Sequence, residues 1–233
     1  MSAAVKKFGR LLLMAGGEHG RRGKGDPSLA SFIESFGFKS PSVAYLGAAS
    51  DDDPYYYSIT EKTLLASGAG SVYLESFGRG CLSRLEAADI IFISGGDVES
   101  GMANLQSCGA IPFLVDLFKR GKPFAGVSAG SIMRGKAWVR WSDPNDDSSA
   151  SLFPCLGFAR LICDTHDEYD DWSELKAALA ISPENELGVG IPTGGSLVIE
   201  PDGALSNESG KLVHFRSSAG ACVPFNAIAS PVS

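Results

Sequence analysis

The chain has 233 residues, 44% of them apolar and 20% charged, with a formal net charge of −7. A chain of this length buries a core large enough to need no disulfide framework or structural metal, and an acidic balance with one dense basic run, Arg21-Arg22-Gly23-Lys24, excludes a nucleic-acid groove. The cysteines at 81, 108, 155, 163 and 222 are odd in number with no C-x-x-C pair, which excludes a zinc knuckle and a disulfide scaffold and leads to the expectation of a reducing, cytoplasmic setting.

No apolar run reaches the roughly 18 residues of a membrane span, and Leu11 to Ala15 after Lys6-Lys7 is too short for a secretory signal. The chain is therefore expected to meet no membrane. The compositional departure is glycine, 28 residues or about 12% against a usual level near 7%. Glycine goes where backbone must turn or approach something closely.

Taken in chain order, short apolar runs end in glycine or small polar residues: Leu11 to Met14 before Gly16-Gly17, Val43 to Leu46 before Gly47, and Ile90 to Ile93 before Ser94-Gly95-Gly96. Val72 to Leu74 and Phe124 to Val127 continue the series, and Leu197 to Glu200 runs into a Pro201-Asp202-Gly203 turn. Such runs fit parallel strands covered by helices on both faces. Helices are expected over Pro27 to Phe36, Ser58 to Ser67, Met102 to Gln106, Ile111 to Arg120 and Ser173 to Leu179. The alternation predicts one α/β domain over residues 1–233, an open, mostly parallel sheet with helices on both faces. Two polar segments, Trp141 to Ala150 and the acidic Asp164 to Asp171, read as loops that reach the same sheet edge.

Residues Gly126-Val127-Ser128-Ala129-Gly130 match G-x-S-x-G between a strand and a helical run starting near Ser131. A turn of this kind must be lined by small residues, and it lifts the serine oxygen above the sheet beside a helix N-terminus. A nucleophilic serine also needs backbone N–H donors for its oxyanion, which Gly95-Gly96 offers at a neighbouring strand end. Of the three histidines, only His166 lies in a polar loop downstream of the elbow. His19, in a loop after the first strand, is a backup, and His214 alternates like a structural strand residue.

Phe92-Ile93-Ser94-Gly95-Gly96-Asp97, then Arg120-Gly121-Lys122-Pro123, then Gly126-Val127-Ser128-Ala129-Gly130-Ser131 resembles the aspartyl dipeptidase (peptidase E) family of serine peptidases, which includes cyanophycinases. The similarity is strongest over 90–135 and weaker at 11–17, 43–50, 161–168 and 187–199. It implies a fold like that of a class I glutamine amidotransferase domain, with serine replacing cysteine. It also implies a nucleophile at Ser128, an oxyanion hole from the Gly96 and Ala129 amides, and a base at His166. For the acid, peptidase E has an aspartate in the loop after the elbow helix, which falls at Asp143; Asp164, Asp146 and Asp167 compete in the same two loops. Other members place a glutamate in a glycine-flanked late turn, here Gly190-Ile191-Pro192-Thr193-Gly194-Gly195, which holds no acid.

Peptidase E carries arginines after its histidine, whereas this chain reads Asp167-Glu168-Tyr169-Asp170-Asp171-Trp172-Ser173-Glu174, with Asp97 where peptidase E has asparagine. These carboxylates oppose an aspartyl substrate unless Arg134, Arg140 or Arg160 reaches in. The resulting expectation is a serine hydrolase of small peptides or related amides, with no cofactor and no metal. A homodimer is compatible with it. The alternative is an inactive member of the fold that binds a small molecule or a partner. An amidotransferase is excluded because no cysteine stands at the elbow.

Overall fold

The computed structural model describes residues 8–17, 22–76 and 82–225. His19, Arg21 and Cys81, named above, lie outside them.

Five strands run parallel at the heart of a seven-stranded sheet: β1 (Leu11–Met14), β2 (Ser42–Leu46), β3 (Ser71–Leu74), β4 (Ile90–Ile93) and β5 (Phe124–Val127). Their spatial order is β1-β5-β4-β2-β3, and β10 (Ser196–Ile199) and β11 (Leu205–Ser209) extend the sheet antiparallel beyond β1. β1, β4 and most of β2 and β5 are buried on both faces, as their unbroken apolar runs require.

Alternate side chains of these strands feed two cores. Leu12, Tyr45, Phe92 and Ala125 pack with Leu29, Phe32 and Ile33 of α1 (Pro27–Glu34) and Leu64 of α2 (Pro54–Ala66). On the opposite face, Leu11, Leu13, Ile91, Ile93 and Phe124 pack with residues of α3 (Leu82–Ala87), α4 (Val98–Ser107), α5 (Ala110–Lys119) and α6 (Ala129–Ile132). The two-faced helical cover is thus a direct result of the strand period of two.

A second sheet was not expected from the sequence. A hairpin of β6 (Ala137–Trp141) and β7 (Ala150–Pro154) leads into a four-stranded sheet. Its order is β13-β12-β9-β8, from β8 (Ile162–Thr165), β9 (Leu187–Ile191), β12 (Val213–Ser218) and β13 (Ala221–Pro224). Leu175 and Leu179 of α7 (Ser173–Ala180) join Val139, Ile162, Trp172 and Phe215 in a third core there. The expected Trp141 to Ala150 loop is the tip of the β6–β7 hairpin. His214 sits in β12 opposite Val189 of β9, a structural strand position.

Candidate active site

The site lies at the C-terminal ends of β4 and β5, where open α/β sheets hold their ligands. The turn from β5 into α6 places Ser128 at φ 53°, ψ −124°, a backbone conformation that L-residues rarely adopt. Three bonds hold it there: Ser128 N–H donates to Met14 O at 2.8 Å, and its carbonyl accepts from Ser131 N and Ile132 N at 2.7 and 3.1 Å. Ser131 adds a clamp, because its buried hydroxyl accepts from Met14 N and lies within 2.9 Å of the carbonyls of Met14 and Gly126.

The glycines of the motif are required by close backbone approach. A Cβ on Gly130 would lie 2.3 Å from Ile93 O, and one on Gly96, whose φ is +139°, would lie 1.8 Å from Ala49 O. Gly96 N–H donates to no group among the described residues. Ala129 N–H, first in α6, has no acceptor within its helix. Two unengaged amides therefore flank Ser128.

His166 comes from the other sheet. It follows β8 at φ 49°, with its N–H bonded to Ile191 O at 2.9 Å. Its Nε2 lies 2.7 Å from Ser128 Oγ, hydrogen-bond distance for a hydroxyl and an imidazole.

Asp143 is not brought to this pair. Its carboxylate is exposed at the hairpin tip and accepts from Asn145 N at 3.0 Å. Asp146 likewise caps its own turn through Ser148. A carboxylate in a short Asx turn is occupied by the turn itself. Asp167, Glu168 and Glu174 each interact electrostatically with His166.

Glu168 differs from the other two. Burial acts to raise its pKa, but hydrogen bonds from Thr193 and its own backbone, with the charge of His166, outweigh that and hold it below the usual value. Its Oε1 accepts from Thr193 N at 3.1 Å, so an anion does reach the late turn, from the opposite side. Burial raises both Asp167 and Glu174, and the Trp138 indole N–H bonds Glu174 Oε2 at 2.9 Å. The sequence offered Glu168 and Glu174 only as members of an acidic stretch, with nothing to separate them from solvated neighbours.

Asp164 is buried, 3% exposed, with Oδ1 accepting from Thr165 N at 2.7 Å. Burial first, then the charges of Glu174 and Asp167, push its pKa up to about 7. A cleft of about 220 Å³ collects Gly96, Ser128, Ala129 and His166 with Asp97, Trp138, Asp164, Asp167 and Glu174.

The three arginines considered as anchors for a substrate carboxylate are committed elsewhere. Arg134 is fully buried under the elbow, bonded to Gly130 O and Leu12 O. Arg140 pairs with Glu99 at 3.7 Å over the Phe153 ring, and Arg160 lies over Phe8. No group of three or more potential metal ligands occurs among the described residues. Cys108, Cys155, Cys163 and Cys222 are free thiols, and no described helix is long and apolar enough to cross a membrane.

An elbow serine bonded to a histidine on an open α/β sheet is the framework of a serine hydrolase. Within that class, the sequence pattern of peptidase family S51 matches residues 11–206. The chain belongs to this family and is a serine peptidase. Comparison with curated proteins returned no match. Among solved structures, a peptidase from an acI-B1 actinobacterium is similar, with TM-score 0.68 and 17% identity over 94% of this chain and 98% of that one. A Listeria monocytogenes EGD-e protein assigned to peptidase E is similar at TM-score 0.59 and 14% identity, over 91% and 100%. At these identities the likeness is one of fold.

Proposed function

We propose that this peptidase cleaves small peptides or related amides through an acyl-enzyme on Ser128. The observation that carries the proposal is the 2.7 Å approach of Ser128 Oγ and His166 Nε2 at a strained elbow. Ser128 Oγ attacks the scissile carbonyl carbon as its proton passes to His166 Nε2, and the new oxyanion is received by the Gly96 and Ala129 N–H groups. His166 then returns the proton to the amine nitrogen as the C–N bond breaks, leaving an ester on Ser128. Water attacks the ester, giving its proton to His166, and the ester C–O bond breaks to release the acid as that proton returns to Ser128.

In this reading Glu168 supplies the negative charge that favours the imidazolium, since of the three carboxylates that interact with His166 it is the one held below its usual pKa. The fit to a dipeptide-sized substrate rests on the small cleft, and the cytoplasmic setting on the free thiols.

A fluorophosphonate probe tests the assignment. Stoichiometric labelling of the wild type is expected, lost in Ser128→Ala together with a fall in peptide hydrolysis of roughly 10⁴-fold or more. Retention of either labelling or hydrolysis by Ser128→Ala overturns it.

A further inference from the structure

We infer that the acidic side of the cleft, formed by Asp164, Asp167 and Glu174 with the exposed Asp97, is a subsite for a cationic group of the substrate, an ammonium or a guanidinium. The inference rests on the reading of Ser128 and His166 as the reacting pair, because that reading puts the substrate in this cleft.

The observation that separates these acids from an ordinary solvated cluster is Asp164. It is 3% exposed and lines the cleft; Oδ1 is bonded to Thr165 N, the Leu175 N–H in the first turn of α7 also favours its anion, and Oδ2 completes no full hydrogen bond. Thr165 Oγ1, on the next residue of β8, is also buried without a partner. A buried carboxylate short of donors is expensive, whereas a charge-assisted bond from a bound cation is among the stronger interactions a protein makes. Glu174 is held in place by the Trp138 indole, so its carboxylate is positioned before any ligand arrives.

Like charges crowd here. Glu174 and Asp167 both act on Asp164, and this mutual repulsion is relieved when one positive group sits among them. The same charges work against a substrate carboxylate, and Arg134, Arg140 and Arg160 are engaged elsewhere. Specificity against the anionic substrate is thus built from repulsion as well as attraction.

The cation has two sources in a small peptide, the free α-amine and a lysine side chain. Binding to the full-chain Ser128→Ala variant separates them by calorimetry with the C-terminal amides of four dipeptides, which carry no carboxylate: Lys-Ala, acetyl-Lys-Ala, norleucyl-Ala and acetyl-norleucyl-Ala. At least one singly cationic peptide is expected to bind about ten-fold or more tighter than acetyl-norleucyl-Ala. Preference for norleucyl-Ala assigns the subsite to the α-amine, and preference for acetyl-Lys-Ala to the side chain. In Asp164→Asn or, should that variant not fold, Glu174→Gln, the preference is expected to shrink about five-fold or more, in line with loss of one charged partner. Equal binding of charged and neutral peptides, or an undiminished preference in these variants, overturns the inference. Because the readout is binding without turnover, a failed subsite remains distinct from a failed nucleophile assignment, which the fluorophosphonate probe reports separately.

Discussion

At the scale of single residues, the site is a set of groups held in unfavourable states by their surroundings. Asp164 is the clearest, with its pKa raised by burial to about 7 from an ordinary aspartate value of about 4. Between these values the folded chain binds more protons than the unfolded one, so stability falls as pH rises from about 4 through 7 and levels off above. Asp164→Asn keeps the acceptor for Thr165 N and removes the charge. It is therefore expected to match the wild type near pH 4 and to exceed it by a few kcal/mol at pH 8, read from urea melts at both pH values. Equal stability at pH 8 contradicts the buried-anion account. The second prediction concerns the acid of the site. Glu168→Gln is expected to lower kcat by on the order of 10²-fold, less than the ~10⁴-fold seen where an acid bonds the base directly. Asp143→Asn should leave kcat/KM within about three-fold, as an exposed turn residue does. The reverse ranking, read from the steady-state kinetics of the two variants, returns the role to Asp143. Ser128 and Gly96 stood out in the sequence because each has a backbone requirement that leaves a mark there, a positive φ at a turn in one and a close backbone approach in the other. Glu168 did not, because what sets it apart is a hydrogen bond to Thr193, twenty-five positions away in the chain.

At the scale of elements, strands bounded by glycine were readable, and strands containing it were not. β1, β4 and β5 fall where their apolar runs end. β9 contains Gly188 and Gly190, which a sequence reading takes for turns, yet both lie inside the strand because large side chains pack onto them. A Cβ on Gly188 would meet Leu179 at 2.5 Å, and one on Gly190 would meet Trp172 at 2.5 Å. Helix starts were misplaced for a different reason. α2 begins at Pro54 with Asp53 capping Tyr55 N and Tyr56 N, and α4 begins at Val98 with Asp97 capping Ser100 N. Both caps were visible as Asp residues before a helical run, but Asp97 drew attention only as a site residue. The elbow itself yields an element-scale prediction. In Gly130→Ala the new methyl must displace the backbone carbonyls of Ile93 and Ser94, which lie 2.3 and 2.6 Å from its Cβ position. Overpacking of this kind is expected to cost about 1–3 kcal/mol, read as a lower urea midpoint at unchanged slope. Unaltered stability would show that α6 can move away from β4.

At the scale of the whole molecule, the seven-stranded sheet was legible and the four-stranded one was not. The first is built from local strand-helix units whose pattern repeats along the chain. The second joins β8 and β9 to β12 and β13 through pairings that leave no local signature. Yet the site needs both, since Ser128 and Gly96 stand on the large sheet and His166 on the small one, tied to the end of β9 through Ile191 O. This division has a consequence for the chain during its own synthesis. Ribosomes release the nucleophile early, but the segment that seats the base lies some sixty residues later, at 187–191. In the proposed mechanism a nascent chain carrying a finished elbow still lacks its seated base until β9 has emerged and paired. Peptide cleavage by that route therefore arrives only once both sheets have formed.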